Sequence, residues 1–141
     1  MLFHFHGLRF DLPDEWADIT DDLPQGSPPT LARSSGLGVI QFSIARYRKG
    51  ANPNVTADDL RLLPADFFSR HSLNAGEAEE TIGPVTTVGC VGIGTDETVA
   101  AWYLSNGYDI VLITYTSRGT DAHDTTAELG HVRKLLGTID L

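Results

Sequence analysis

The sequence predicts a single α+β domain over residues 1–141: a central antiparallel sheet of about six strands, flanked by two main helices in an α/β/α sandwich. Three observations carry this. Short runs of alternating or β-branched apolar residues recur along the chain, at the period of half-buried strands. Two longer segments, near 56–76 and 121–136, carry apolar residues at helical spacing instead. The order is strands, a helix, more strands and a last helix, which favours helices laid over an antiparallel sheet. A chain of 141 residues buries roughly 68–70% of its unfolded surface, enough for a core without metal or disulfide staples.

Each element has its own signal. Residues 2–10 read as an apolar stretch interrupted at Gly7, and Leu8, Phe10 and Leu12 alternate with Arg9 and Asp11. Residues 16–20 make a short second strand, and the prolines of 21–29 make a loop. A third strand is expected over 30–33. Over 37–47, Ile40, Phe42 and Ile44 point one way while Gln41 and Ser43 point the other. Thr56 is a good N-cap, with Asp58 and Asp59 in the first turn where the helix dipole favours them. Leu60, Leu63, Phe67 and Phe68 follow at helical spacing. Pro64 is expected to break or restart this helix, because proline cannot donate inside one. Strands are expected over 85–93, 98–104 and 109–117. The last two are joined through Ser105-Asn106-Gly107, and Asn-Gly is a strong hairpin signal. The final helix, 121–136, starts at a Thr120 or Asp121 cap and presents Leu129, Val132, Leu135 and Leu136 as its core stripe.

Composition excludes several function classes. With 10 basic and 19 acidic residues the formal charge is −9, a field that repels nucleic-acid phosphate and anionic membrane but attracts a basic protein. The single cysteine, Cys90, has no internal disulfide partner, which suits a reducing compartment. Met1-Leu2-Phe3-His4-Phe5-His6 has no basic segment ahead of a long apolar stretch, and no run approaches the ~18 apolar residues of a membrane span. A cytoplasmic location is therefore expected.

The element order, with the opening Phe10-Asp11-Leu12-Pro13-Asp14-Glu15-Trp16, resembles the PsbP/DcrB-like superfamily, whose members begin with a similar aromatic-x-aliphatic-Pro-x-x-Trp pattern. That superfamily includes a photosystem subunit, a Ran-binding import factor and many small bacterial proteins. The resemblance spans nearly the whole chain. It implies an antiparallel sheet flanked by helices, and binding rather than catalysis. Phe10, Leu12, Pro13 and Trp16 match the pattern as structural positions, and no catalytic residue carries over.

No cluster of residues in the sequence demands catalysis, a metal or a cofactor. His4 and His6 would share a strand face, with Asp11 or Asp14 as a conceivable third ligand, but a solvent-facing strand edge explains the pair. Asp124, Glu128 and His131, with His123 beside them, fall on one side of the last helix; a solvated, dipole-matched surface is expected there rather than an acid–base site. Gly89-Cys90-Val91-Gly92-Ile93-Gly94 is followed by strand-like sequence and not by a helix. It therefore reads as bulges or close backbone packing, with Cys90 a buried small residue. Ser34-Ser35-Gly36 reads as a turn, Asn54-Val55-Thr56 as the approach to a helix, and Arg46-Tyr47-Arg48-Lys49 as an isolated basic group.

The acidic residues are more informative. Asp14, Glu15, Asp18, Asp21 and Asp22, preceded by Asp11, form one concentration; Glu77, Glu79, Glu80, Asp96 and Glu97 form another. Such runs are commonly solvated loops, but the first could be an electronegative docking face, with Trp16 either an anchor there or a core residue. The expectation is a non-catalytic protein-binding module. Its concrete form is a cytoplasmic immunity protein that occludes a bacterial toxin through those five carboxylates, with a basic toxin domain as partner. A secretion-system or trafficking accessory factor and a small-ligand-binding domain are the alternatives.

Overall fold

The computed structural model describes residues 2–34, 38–46, 53–93, 96–118 and 122–141. Strands β1 (Leu2–Phe5) and β2 (Leu8–Asp11) pair as a separate antiparallel hairpin. Strands β3 (Trp16–Asp18), β4 (Thr30–Arg33) and β5 (Gly38–Ala45) then run as a meander. Helix α1 (Ala57–Arg70) carries the chain to the far edge of the sheet. From there β6 (Asn74–Thr81), β7 (Thr86–Ile93), β8 (Glu97–Ser105) and β9 (Ile110–Arg118) return as a second meander. Helix α2 (Ala122–Leu136) follows. The seven-stranded sheet has the order β3-β4-β5-β9-β8-β7-β6, and every pair is antiparallel.

The expected α+β class is therefore the observed one, with corrections. The main sheet has seven strands and not about six, because β6 forms from Asn-Ala-Gly-Glu-Ala-Glu-Glu-Thr, which has no apolar period to announce it. The stretch 2–10 is a hairpin turned at His6 and Gly7, both at positive φ, and it stands apart from the main sheet. Pro64 does not break α1. The helix runs through it, because Leu60, Pro64 and Phe68 form one buried stripe and packing overrides the lost backbone bond. The Thr56 cap is a reciprocal capping box with Asp59 (Asp59 N–H to Thr56 Oγ1 3.2 Å; Thr56 N–H to Asp59 Oδ2 2.9 Å). The caps expected at Thr120 and Asp121 lie outside the described residues.

Strand alternation puts the helices on opposite faces. On one face, Leu129, Val132, Leu135 and Leu136 of α2 join Ile40 and Phe42 of β5, Trp102 of β8 and Ile113 and Tyr115 of β9. The hairpin extends this core with Phe5, Leu8 and Phe10; Phe10 and Phe42 stack with ring centres 5.8 Å apart. On the other face, Phe68 of α1 meets Cys90 and Ala101, with Phe67, Leu73 and Leu112 beside them. After α2 the chain returns to the hairpin, where Asp140 N–H donates to the Arg9 carbonyl at 2.7 Å and Arg9 N–H to the Asp140 carbonyl at 3.1 Å.

The glycines of β7 behave as close-packing positions. A Cβ at Gly89 would overlap the Trp102 indole, and one at Gly92 would overlap the Phe68 ring. Cys90 is buried between them, and burial pushes its thiol above the usual range. Gly94 lies outside the described residues.

Candidate functional site

The five carboxylates at Asp14, Glu15, Asp18, Asp21 and Asp22 are all exposed, and they cluster at one edge of the sheet. A tight turn, closed by Trp16 N–H donating to the Pro13 carbonyl at 3.3 Å, presents Asp14 and Glu15 at its corner. Glu15 holds φ at 75°, an uncommon conformation for a side chain other than glycine. Asp18 lies at the end of edge strand β3, and its Oδ1 accepts from Thr20 N–H (2.9 Å) and from the Thr20 hydroxyl (2.6 Å). That bond steadies the 3-10 turn Thr20–Asp22, which carries Asp21 and Asp22. Trp16 is 5% exposed, so its indole anchors this edge to the core and is not offered to a partner.

Glu128 corrects another expectation. It is fully buried, not part of a solvated helix surface. Its Oε1 accepts from the Tyr115 hydroxyl at 2.6 Å and from Gly38 N–H at 3.0 Å. Arg33 Nε stands 3.0 Å from its Oε2, a charge pairing without the alignment of a good N–H···O bond. Burial, and then the bond to Glu128, push the Tyr115 phenol well above its ordinary range. The Ser117 hydroxyl is a further neighbour of that phenol. Gly38 is required here, because a Cβ would strike the Tyr115 ring. Four elements meet at this one carboxylate, which is itself fully buried. Its contacts tie the four elements together as a clamp.

Sequence reasoning missed Arg33, Gly38 and Tyr115, which come together only in the fold. A local signal for Glu128 did exist: it shares spacing i, i+4, i+7 with Val132 and Leu135, inside the apolar stripe of α2. His131 is half-buried, and its Nδ1 has no hydrogen-bond partner among the described residues. The side chains of His123 and Asp124 fall outside the described residues.

The remaining candidates separate in space. His4 lies on β1 opposite Arg9, but His6 is in the turn at φ 50°, so the two do not share a strand face as expected. Among the described residues, no three His, Cys, Asp or Glu side chains gather as metal ligands would. Arg46 donates to the His6 carbonyl at 3.1 Å and faces Asp109 at 3.6 Å; Tyr47, Arg48 and Lys49 lie outside the described residues, as do Ser35 and Gly36. Asn54 adopts φ 51° just before the Thr56 cap, as a turn residue does.

Within the second acidic group, Glu77 and Asp96 are exposed, but Glu79 and Glu80 are tied into the fold. Glu79 and Glu80 stand on β6 and face opposite sides of the sheet. Glu80 pairs with Arg61 of α1 at 2.5 Å, and Arg133 of α2 forks onto Glu79 at 2.9 and 2.6 Å. The Arg133 guanidinium holds the Glu79 carboxyl below the usual carboxylate range, and Arg61 does the same to Glu80.

Comparison with known protein families and with curated sequences finds no match to this chain. No described helix is long and apolar enough to cross a membrane.

Proposed function

We propose that this chain is a non-catalytic protein-binding module that docks a basic partner on the edge of the sheet at β3. The observation that carries this reading is the set of five exposed carboxylates around that edge. They are held on short, hydrogen-bonded turns and backed by a buried tryptophan. A rigid anionic rim costs little ordering entropy on binding, and a protein of net charge −9 draws a cationic partner toward it.

In its concrete form the module is an immunity protein, acting in the cytoplasm of a toxin-producing cell. It would neutralise a basic toxin domain by covering its working surface. Steric occlusion needs shape and charge and no catalytic residue. The resemblance to the PsbP/DcrB-like superfamily, carried by Phe10, Leu12, Pro13 and Trp16, agrees with a binding role. Three of those residues sit where a scaffold needs them: Phe10 and Trp16 are core residues, and Leu12 packs against the core.

The test is to co-express the chain with the reading frames that flank its gene. Co-purification of the C-terminal domain of a large exported toxin supports the reading, and failure of every neighbour to co-purify removes it. In a complex so obtained, the triple variant Asp14→Asn, Asp21→Asn, Asp22→Asn should slow association about tenfold at low salt, with little change in dissociation rate.

A further inference from the structure

The two helices cover different halves of the sheet. Helix α1 lies over β6, β7 and β8 on its face; α2 packs on β5, β9 and the hairpin on the other. On the α2 side this leaves a cleft of about 580 Å³ between the last turns of α2 and the turn joining β6 to β7. That volume is within the span of small-molecule sites, roughly 300–1,000 Å³. Trp102 lies at its base, Val85, Leu136 and Ile139 form an apolar wall, and Ile82, 69% exposed, stands at the rim.

The charges around the cleft are already matched. Asp140 pairs with Arg9, Glu80 with Arg61, and Glu79 with Arg133. Glu79 takes only one side of the Arg133 guanidinium, Nε and one N–H of Nη2, and its Oε1 also accepts from the Trp102 indole N–H at 3.4 Å. Arginine presents five N–H donors in a planar fork, so a second bidentate edge exists at Nη1 and Nη2. Among the described residues, Nη1 makes no hydrogen bond. A hollow of mixed lining, with one apolar wall, is thus joined to a half-used donor fork.

We propose that this cleft binds a small apolar carboxylate, an aryl- or alkyl-substituted acid. Its carboxylate takes the open edge of Arg133, and its body lies against Val85, Leu136 and Ile139 above Trp102. Glu79 is the positioning residue, holding the guanidinium in place from behind. This site is separate from the docking edge, and neither depends on the other.

The probe is 3-phenylpropionate, with 3-phenylpropanol as its uncharged twin, titrated into the full chain and followed by NMR. The acid should shift the Trp102 indole N–H and Arg133 Nε–H resonances together and saturably, and it should bind about tenfold more tightly than the alcohol. Arg133→Gln should remove that advantage and leave the weak binding of the alcohol as it was. The proposal is overturned if neither resonance saturates up to the solubility of the acid, or if acid and alcohol bind alike to the unmodified protein. The resonance measurements need no variant, so they decide even if Arg133→Gln misfolds.

Discussion

Strands β3 and β6 close the two edges of the same sheet, and both edges carry acidic side chains, but they treat the charge differently. At β6, Glu79 and Glu80 each meet an arginine from a helix, one from each face, so the strand is tied to α2 and α1 at once. At β3, Asp14, Asp21 and Asp22 meet no cation among the described residues, and Glu15 approaches Arg33 only at 3.9 Å. Charge on an edge strand also discourages pairing with another sheet, and both edges have that benefit. The difference lies in what is left over. Carboxylates matched across elements hold the fold together, whereas unmatched ones project a field outward. Acidic density in a sequence does not tell these apart; the position of the arginines does.

Substitutions can break this contrast, and Glu128 sets its upper limit as a carboxylate wholly inside. Glu128→Ala removes the acceptor of the Tyr115 hydroxyl and of Gly38 N–H and leaves Arg33 with only the Glu15 carboxylate, 3.9 Å away. A loss of roughly 3 kcal/mol or more is expected, read from the shift in urea midpoint at constant slope. A change under about 1 kcal/mol would show that the clamp contributes little.

An intermediate effect is expected at β6. Glu79→Gln weakens the Arg133 fork, and because both side chains are a third or more exposed (33% and 43%), the loss should be only about 0.5–1 kcal/mol. Its pH dependence is the sharper measurement. Arg133 depresses the Glu79 pKa in the folded state below the ordinary 4.5, so this contribution is complete above about pH 4.5 and fades as pH falls through the lowered value. The wild type and Glu79→Gln should therefore converge in stability toward acid pH. Parallel curves would contradict the assignment.

The smallest effect on stability belongs to the β3 edge. The triple variant Asp14→Asn, Asp21→Asn, Asp22→Asn should stay within about 0.5 kcal/mol of wild type, since exposed, unpaired charges contribute little to folding. A loss above about 1.5 kcal/mol would mean that these residues serve the fold and not an outward face.

Local signals were legible in the sequence wherever one element sufficed to produce them. The Thr56 cap, the Asn106-Gly107 turn and the Leu129–Val132–Leu135–Leu136 stripe each follow from neighbours a few residues apart, and the structure has them all. The grouping of Asp14, Glu15, Asp18, Asp21 and Asp22 was legible for the same reason, since they are close in sequence. What escaped depends on distant partners. Strand β6 exists because β7 offers it a ladder and Arg61 and Arg133 hold its acids; alone, its polar sequence reads as loop. Helix α1 survives Pro64 because its stripe is buried against the sheet. The Glu128 clamp draws one residue each from β4, β9 and α2 together with the first residue of β5, and no spacing rule connects them.

The seam between β5 and β9 has a kinetic meaning. Strands β6 to β9 pair with sequence neighbours through short turns, but β5 and β9 bring together the two halves of the chain over a continuous ladder from Gly38↔Ser117 to Ala45↔Ile110. Closing that long loop costs entropy before its contacts form, so this pairing is expected to slow folding. Glu128 bonds Gly38 from one side of this seam and Tyr115 from the other, and it can engage both only after the strands have met. It then acts as a latch fastened late, which slows reopening more than it hastens assembly.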